Sequence, residues 1–365
     1  MPTSTMTAAE RLAAVFAGEL IDRVPFALKG WRVPQCQAER LLRSQGMCIL
    51  DSRPVYQVTS PHVQTEAVHF SKDGAGYWRA FIRTPKGELT TLHRQVGAEQ
   101  TERTSWQLEW PFKGPQDYAA IEFMIRDRRY APCYDSFLKA QEQIGGEAFF
   151  KTTAPGCPLH DIIYSIMGLE QFSVEWEERR DQILGLCRAM AENQRPIYEI
   201  AARSPASLVQ CGGNYSPQVL GKERFVDHVL PHWAAAAAAL HEGGKLLGCH
   251  LDADNRLWAG EVGRSPLDWI EAFSPSPDTD MSVAQARTAW PGKVLFINFP
   301  SAVHLESAPV IEATTRQILK EAAPGDRFIV GITENVPENR WRESFAAILH
   351  TLNTCGWLPI RADSL

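Results

Sequence analysis

The chain has 365 residues, 44% of them hydrophobic and 22% charged, an ordinary globular composition long enough to bury a large core. A formal charge of -6 and a pI near 6.0, with no basic run, argue against a nucleic-acid-binding or anionic-membrane surface. No apolar stretch has membrane-spanning length, residues 1–20 lack the regions of a secretion signal, and the eight cysteines are scattered without a Cys-x-x-Cys pair. A cytoplasmic protein with reduced thiols is expected.

In chain order, Thr7 is placed to cap a helix over 8–16 that stops at Gly18. Asp22-Arg-Val-Pro25 leads into a first strand, Phe26-Ala-Leu28, whose outlet carries Trp31 and Arg32. A helix over 35–45 closes at Gly46, and 47–50 reads as a short second strand. From about 54 to 109 the pattern turns β-rich, in Val55-Tyr-Gln-Val58 and in the runs 63–70, 77–84 and 88–96, with a hairpin signal at Pro85-Lys-Gly87. This predicts an inserted antiparallel meander, whose aromatics Tyr56, Tyr77, Trp78 and Phe81 are expected to pack against a neighbouring domain or subunit.

Beyond Pro115 helices and strands alternate. Helices are predicted over 116–126, 133–144, 171–176, 181–202, 222–241, 257–262, 283–290, 309–322 and 341–355. Strands are predicted over 148–153, 207–211, from 245 into Cys249-His250, and over 269–273, 293–298 and 327–332. About eight strand–helix units in a single domain of residues 1–365 predict an α/β fold, a closed (β/α)8 TIM barrel with an inserted meander. The rival, a doubly wound open sheet, lacks any Gly-x-Gly-x-x-Gly or phosphate loop to support it.

Barrel enzymes work at the C-terminal mouth of their strands, so the strand outlets are the candidate site. They carry Trp31 and Arg32, Thr152 and Thr153 with His160 and Asp161, Cys211 and Asn214, His250 and Asp252, Glu271, Asn298, and Glu334 with Asn335. His250 and Asp252, two apart in an extended segment, point the same way. With Glu334 they make a candidate set for a divalent ion, zinc or similar, with one position open to a small-molecule substrate. Such ligands bind deprotonated, so metal loss on mild acidification is expected. The alternative without metal uses Arg32 and other cations to clamp substrate carboxylates while an Asp or His manages protons. The candidate catalytic residues are Arg32, Asn214, Glu271 and His160. A third alternative is a non-catalytic barrel that binds a small molecule or a partner.

The ordered set Leu12-Ala-Ala-Val-Phe-Ala-Gly-Glu-Leu-Ile-Asp-Arg-Val-Pro25, Gly212-Gly-Asn214, Gly244-Lys-Leu-Leu-Gly-Cys-His-Leu-Asp252, Asp268-Trp-Ile-Glu-Ala-Phe-Ser-Pro275 and Gly331-Ile-Thr-Glu-Asn-Val-Pro337 resembles the uroporphyrinogen decarboxylase superfamily over nearly the whole chain. The likeness is to the decarboxylase-like subgroup with an extra β meander, and it implies the (β/α)8 fold and a homodimer. Decarboxylases of that superfamily carry Met-Arg-Gln-Ala-Gly-Arg after the first strand, whereas Ala27-Leu-Lys-Gly-Trp-Arg-Val-Pro34 keeps at best Arg32. Related methyltransferases hold zinc through His-x-Cys and a later Cys and pass methyl groups to or from a corrinoid protein. His250 matches that His, Asp252 falls where the first Cys would be, and Glu334 falls near the second. The resemblance therefore implies methyl transfer from a methoxy or methylamine compound to a corrinoid on a separate protein, with decarboxylation of a polycarboxylate as the alternative.

Overall fold

Eight short runs rich in β-branched and aromatic side chains form a closed ring in the computed structural model, which describes residues 6–96 and 104–364. They are β1 (Phe26–Leu28), β2 (Met47–Ser52), β3 (Ala148–Ala154), β4 (Leu208–Gly213), β5 (Leu246–His250), β6 (Trp269–Phe273), β7 (Val294–Asn298) and β8 (Phe328–Ile332). All pairings are parallel, each strand lies beside its successor, and β8 returns to β1, with Phe26 opposite Val330. Every residue of β6, β7 and β8 is buried, as strands covered on both faces require. The architecture is a (β/α)8 barrel with additional antiparallel sheets.

One end of the ring is plugged. Helix Ala8–Ala17 starts at a capping box between Thr7 and Glu10 and stops at Gly18, whose φ of 72° suits a residue without Cβ. Its Leu12, Val15 and Phe16 join one apolar cluster with Ala27, Cys48, Leu50, Leu208, Trp269, Val294, Phe296 and Ile329 from six strands. Phe16 meets the Trp269 ring edge-on at 5.5 Å. Trp269 opens β6, so this helix covers the N-terminal end of the barrel and leaves the C-terminal end for chemistry. Glycines make room for the large rings inside: a Cβ on Gly248 would fall 2.0 Å from Trp269, and one on Gly331 1.8 Å from Phe296.

The chain divides into two compact units. One comprises Met1–Val55, Tyr134–Ala154 and Ala201–Leu365 and holds the barrel; the other comprises Tyr56–Cys133 and Pro155–Ile200. The second unit contains a four-stranded antiparallel meander of Gln64–Lys72, Ala75–Thr84, Gly87–Val96 and Thr104–Glu109. Residues 97–103 of the expected insertion lie outside the described residues. Within this sheet Tyr77 stacks on Phe70 at 5.5 Å and Trp78 on His93 at 4.9 Å, so these aromatics also engage cross-strand neighbours.

One expectation on local structure is corrected. The run at Val55-Tyr-Gln-Val58 does not join the meander: Tyr56–Thr59 pairs with Arg129–Pro132 in a separate two-stranded sheet. Its partner strand, Arg129-Tyr-Ala-Pro132, is short and ends in proline, so no alternation announces it. The helix predicted over 222–241 forms, bounded at its start by a kink at Gly221. Gly221, at φ 66° and ψ 165°, is non-helical, and within the helix a π-turn over Phe225–Val229 runs straight into Leu230–Glu242, with Pro231 at the junction. No helix among the described residues is long and apolar enough to cross a membrane.

Candidate metal centre

His250 is the last residue of β5, Asp252 lies two residues beyond it, and Glu334 lies two residues beyond β8. The ring brings one donor atom from each to within 4.8 Å of the others. His250 Nε2 stands 3.5 Å from Asp252 Oδ2. Two donors bonded to one tetrahedral ion at about 2.0–2.1 Å would lie about 3.3 Å apart, so this pair is already near that spacing. Glu334 is exposed and supplies the third donor of the set.

The other imidazole nitrogen is committed. His250 Nδ1 lies 3.0 Å from Glu271 Oε2, on the neighbouring strand β6. Glu271 is fully buried and forms an ion pair with Lys151, itself 1% exposed, which also donates to Gln210. Strands β3 and β6 are not neighbours, so the Lys151–Glu271 pair crosses the barrel interior. Burial by itself would raise the Glu271 pKa, but the Lys151 ammonium and the His250 imidazole outweigh it and hold the carboxylate well below its usual range. Burial pulls the Lys151 ammonium the other way, and Glu271 offsets part of that. An ionised Glu271 accepts from Nδ1–H, which leaves Nε2 to face Asp252 and Glu334. This is the outer-shell carboxylate–imidazole arrangement of metal-binding histidines.

The pocket favours positive charge. Burial would lower the His250 pKa, yet the hydrogen bonds and charges of Asp252 and Glu271 raise it to about 9. One imidazole and two carboxylates suit a hard or borderline divalent cation, so the donor set fits the ion that the sequence suggests.

The backbone beneath these ligands is specialised. At the end of β4 the register slips between Gln210 and Gly213, and Gly212 and Asn214 adopt positive φ of 68° and 57°. A Cβ on Gly213 would lie 2.6 Å from the His250 Cβ, and the Asn214 N–H donates to the His250 carbonyl at 3.0 Å. The Gly-Gly-Asn motif thus makes room for His250 and anchors its backbone. On the other side the Leu251 N–H donates to the Glu271 carbonyl at 2.9 Å, and Ala272 takes a strained φ of 60° at a second bulge. The loop carrying Asp252 is pinned by buried Asn255, whose Nδ2 donates to the carbonyls of Leu251 and Ala253 and whose Oδ1 accepts from Trp258.

Glu334 sits between two tethered residues. The Thr333 N–H donates to Asn298 Oδ1 at 2.9 Å, and the Arg32 guanidinium donates to the Thr333 carbonyl and to Asn335 Oδ1. Arg32 stacks on Trp31, with Cζ 4.1 Å from the ring centroid. It therefore ties the outlet of β1 to the segment that presents Glu334.

Of the residues singled out from sequence, His250, Asp252 and Glu334 share one cluster, with Glu271 directly behind the imidazole, Asn214 on its backbone and Arg32 on the Glu334 segment. His160 belongs to the second unit, in helix Pro158–Asp161, buried with its ring 4.3 Å from Tyr164. Lys151 was missed. Its signal was a lysine within the apolar run Ala148-Phe-Phe-Lys151, where an interior ammonium demands a carboxylate partner.

Fold and site together describe a parallel barrel with a candidate divalent-metal centre at its C-terminal mouth. No protein-family model matches the chain, and no curated protein sequence matches it. Among solved structures it is similar to a methyltransferase from Methanosarcina mazei, with a TM-score of 0.60 at 11% identity, covering 96% of this chain and 99% of that one. At that identity the likeness is one of fold. A xyloglucanase from Bacteroides ovatus aligns with 83% of this chain and 95% of its own at 10% identity, and its TM-score of 0.32 carries no argument.

Proposed function

We infer that the protein is an enzyme of metal-assisted methyl transfer on a uroporphyrinogen decarboxylase-like barrel. The methyl group leaves a small methoxy or methylamine compound for a corrinoid carried by a separate protein. The observation that carries this reading is the convergence of His250, Asp252 and Glu334 at the mouth, with Glu271 engaging the far side of the imidazole. The fold shared with the Methanosarcina methyltransferase supports it. A divalent ion, zinc or similar, supplies Lewis acidity toward the oxygen or nitrogen that bears the methyl group.

The chain's own residues orient and charge the site. His250 presents Nε2 because Glu271 accepts from Nδ1. Asp252 and Glu334 add the negative charge that a dication needs. Lys151 keeps Glu271 ionised from below, and Arg32 holds the 333–335 segment in place. Decarboxylation draws less support, because two Arg32 nitrogens are directed to Thr333 and Asn335 instead of being offered to a substrate carboxylate.

The test is elemental analysis of the purified protein together with a methylation assay on a reduced corrinoid, followed by its visible spectrum. About one zinc-class ion per chain is expected, with loss of most of it in His250→Ala. A protein that takes up no divalent ion, or a His250→Ala variant with full metal content, would remove the basis of this reading.

A further inference from the structure

The meander ends in an open edge. Among the described residues strand Gln64–Lys72 has one partner, Ala75–Thr84, and all nine of its residues are exposed. The pairing runs without a bulge from Gln64 opposite Arg83 to Lys72 opposite Ala75. Neither proline nor a bulge interrupts it, and those are devices that normally blunt a long edge. Val68 and Phe70, 47% and 41% exposed, lie on the same face of the strand.

The hairpin determines which backbone groups point outward. Asp73 and Gly74 form a two-residue turn with φ of 52° and 74°, so the flanking residues Lys72 and Ala75 make a hydrogen-bonded pair. Every second residue back from Lys72 therefore bonds inward to Ala75–Thr84. The N–H and C=O groups of Thr65, Ala67, His69 and Ser71 face the open edge.

We propose that this edge pairs with the same edge of a second copy of the chain, antiparallel and centred on His69, making one eight-stranded sheet across a two-fold axis. In that register the outward-facing residues meet as hydrogen-bonded pairs, His69 with His69 and Ala67 with Ser71. On the opposite face Glu66 meets Lys72 and Val68 meets Phe70, each twice by symmetry. Neighbouring registers of the same hydrogen-bonding phase, centred on 67, 68 or 70, leave Glu66 without Lys72. Charge complementarity thus selects the centre, and an isologous contact closes at two copies.

Sedimentation or light scattering on the full chain at tens of micromolar tests the pairing, with circular dichroism as the folding control. The wild type is expected to be a dimer. His69→Pro removes an N–H that faces outward, so it should leave the fold intact and yield a monomer. Because Glu66 also pairs with Arg83 in its own sheet at 3.1 Å, the single reversal is made at Lys72: Lys72→Glu creates two like-charge contacts and should weaken the dimer about tenfold, and Glu66→Lys with Lys72→Glu should restore it. A wild type that stays monomeric, a folded His69→Pro that dimerises like the wild type, or a double charge exchange that fails to recover the dimer would each overturn the proposal.

Discussion

Glu271 Oε2 lies 3.0 Å from His250 Nδ1, and this contact decides which imidazole nitrogen faces Asp252 and Glu334. For the neutral ring that binds a metal, a carboxylate in that place selects the tautomer with its proton on Nδ1 and a lone pair on Nε2. The fold invests heavily in it, since Glu271 is fully buried and held by an equally buried lysine from a strand that is not its neighbour.

Glu271→Gln keeps the shape and removes the charge. Affinity for zinc, read by competition with a chromogenic chelator, is expected to fall about 10- to 100-fold. An unchanged affinity would mean that Glu271 serves only to neutralise Lys151.

Lys151→Met leaves a carboxylate buried without its counter-charge. The expected loss is about 3–5 kcal/mol in urea-induced unfolding, and the double variant Lys151→Met with Glu271→Leu should recover most of it. Additive losses in the double variant would show that the two side chains stabilise the barrel independently.

Gly213→Ala places a methyl group 2.6 Å from the His250 Cβ. Overpacking of this kind costs about 1–3 kcal/mol, and here the displaced group is a candidate ligand. Thermal unfolding and metal content should both fall. A variant with wild-type values for both would show that the β4 bulge relaxes freely.

His304 is 2% exposed, its Nδ1 lies 2.6 Å from Ser344 Oγ, and burial lowers its pKa from 6.5 to about 4. The unfolded chain takes up this proton near pH 6.5 and the folded chain only near pH 4. The stability from keeping the ring neutral is therefore complete above pH 6.5 and lost as the pH falls toward 4, by about 3 kcal/mol in all. Urea midpoints at pH 7 and pH 4.5 should differ less in His304→Gln than in the wild type. Equal differences would assign the acid sensitivity to other groups.

Much of the architecture is local and therefore legible in the residues alone. Thr7 and Glu10 announce one helix and Gly18 ends it, while the strand over 269–273 and the helix over 341–355 match the residues read from periodicity. Such signals need only neighbours a few positions apart. Where the partner is distant and itself carries no strand pattern, as in the pairing of Tyr56–Thr59 with Arg129–Pro132, the reading failed.

The amino-acid sequence by itself determined that strands and helices alternate, with seven clear strands and a weaker one at 47–50, and that His250 and Asp252 project from one side of an extended segment. Only the tertiary structure decided which distant groups meet. Glu334 reaches His250 because the ring returns β8 to β1, and Lys151 finds Glu271 because both strands turn a side chain into the same interior. Periodicity records which face of an element is apolar, but it carries no information on the partner across a barrel, since that depends on closure, strand register and the bulges at Gly213 and Ala272.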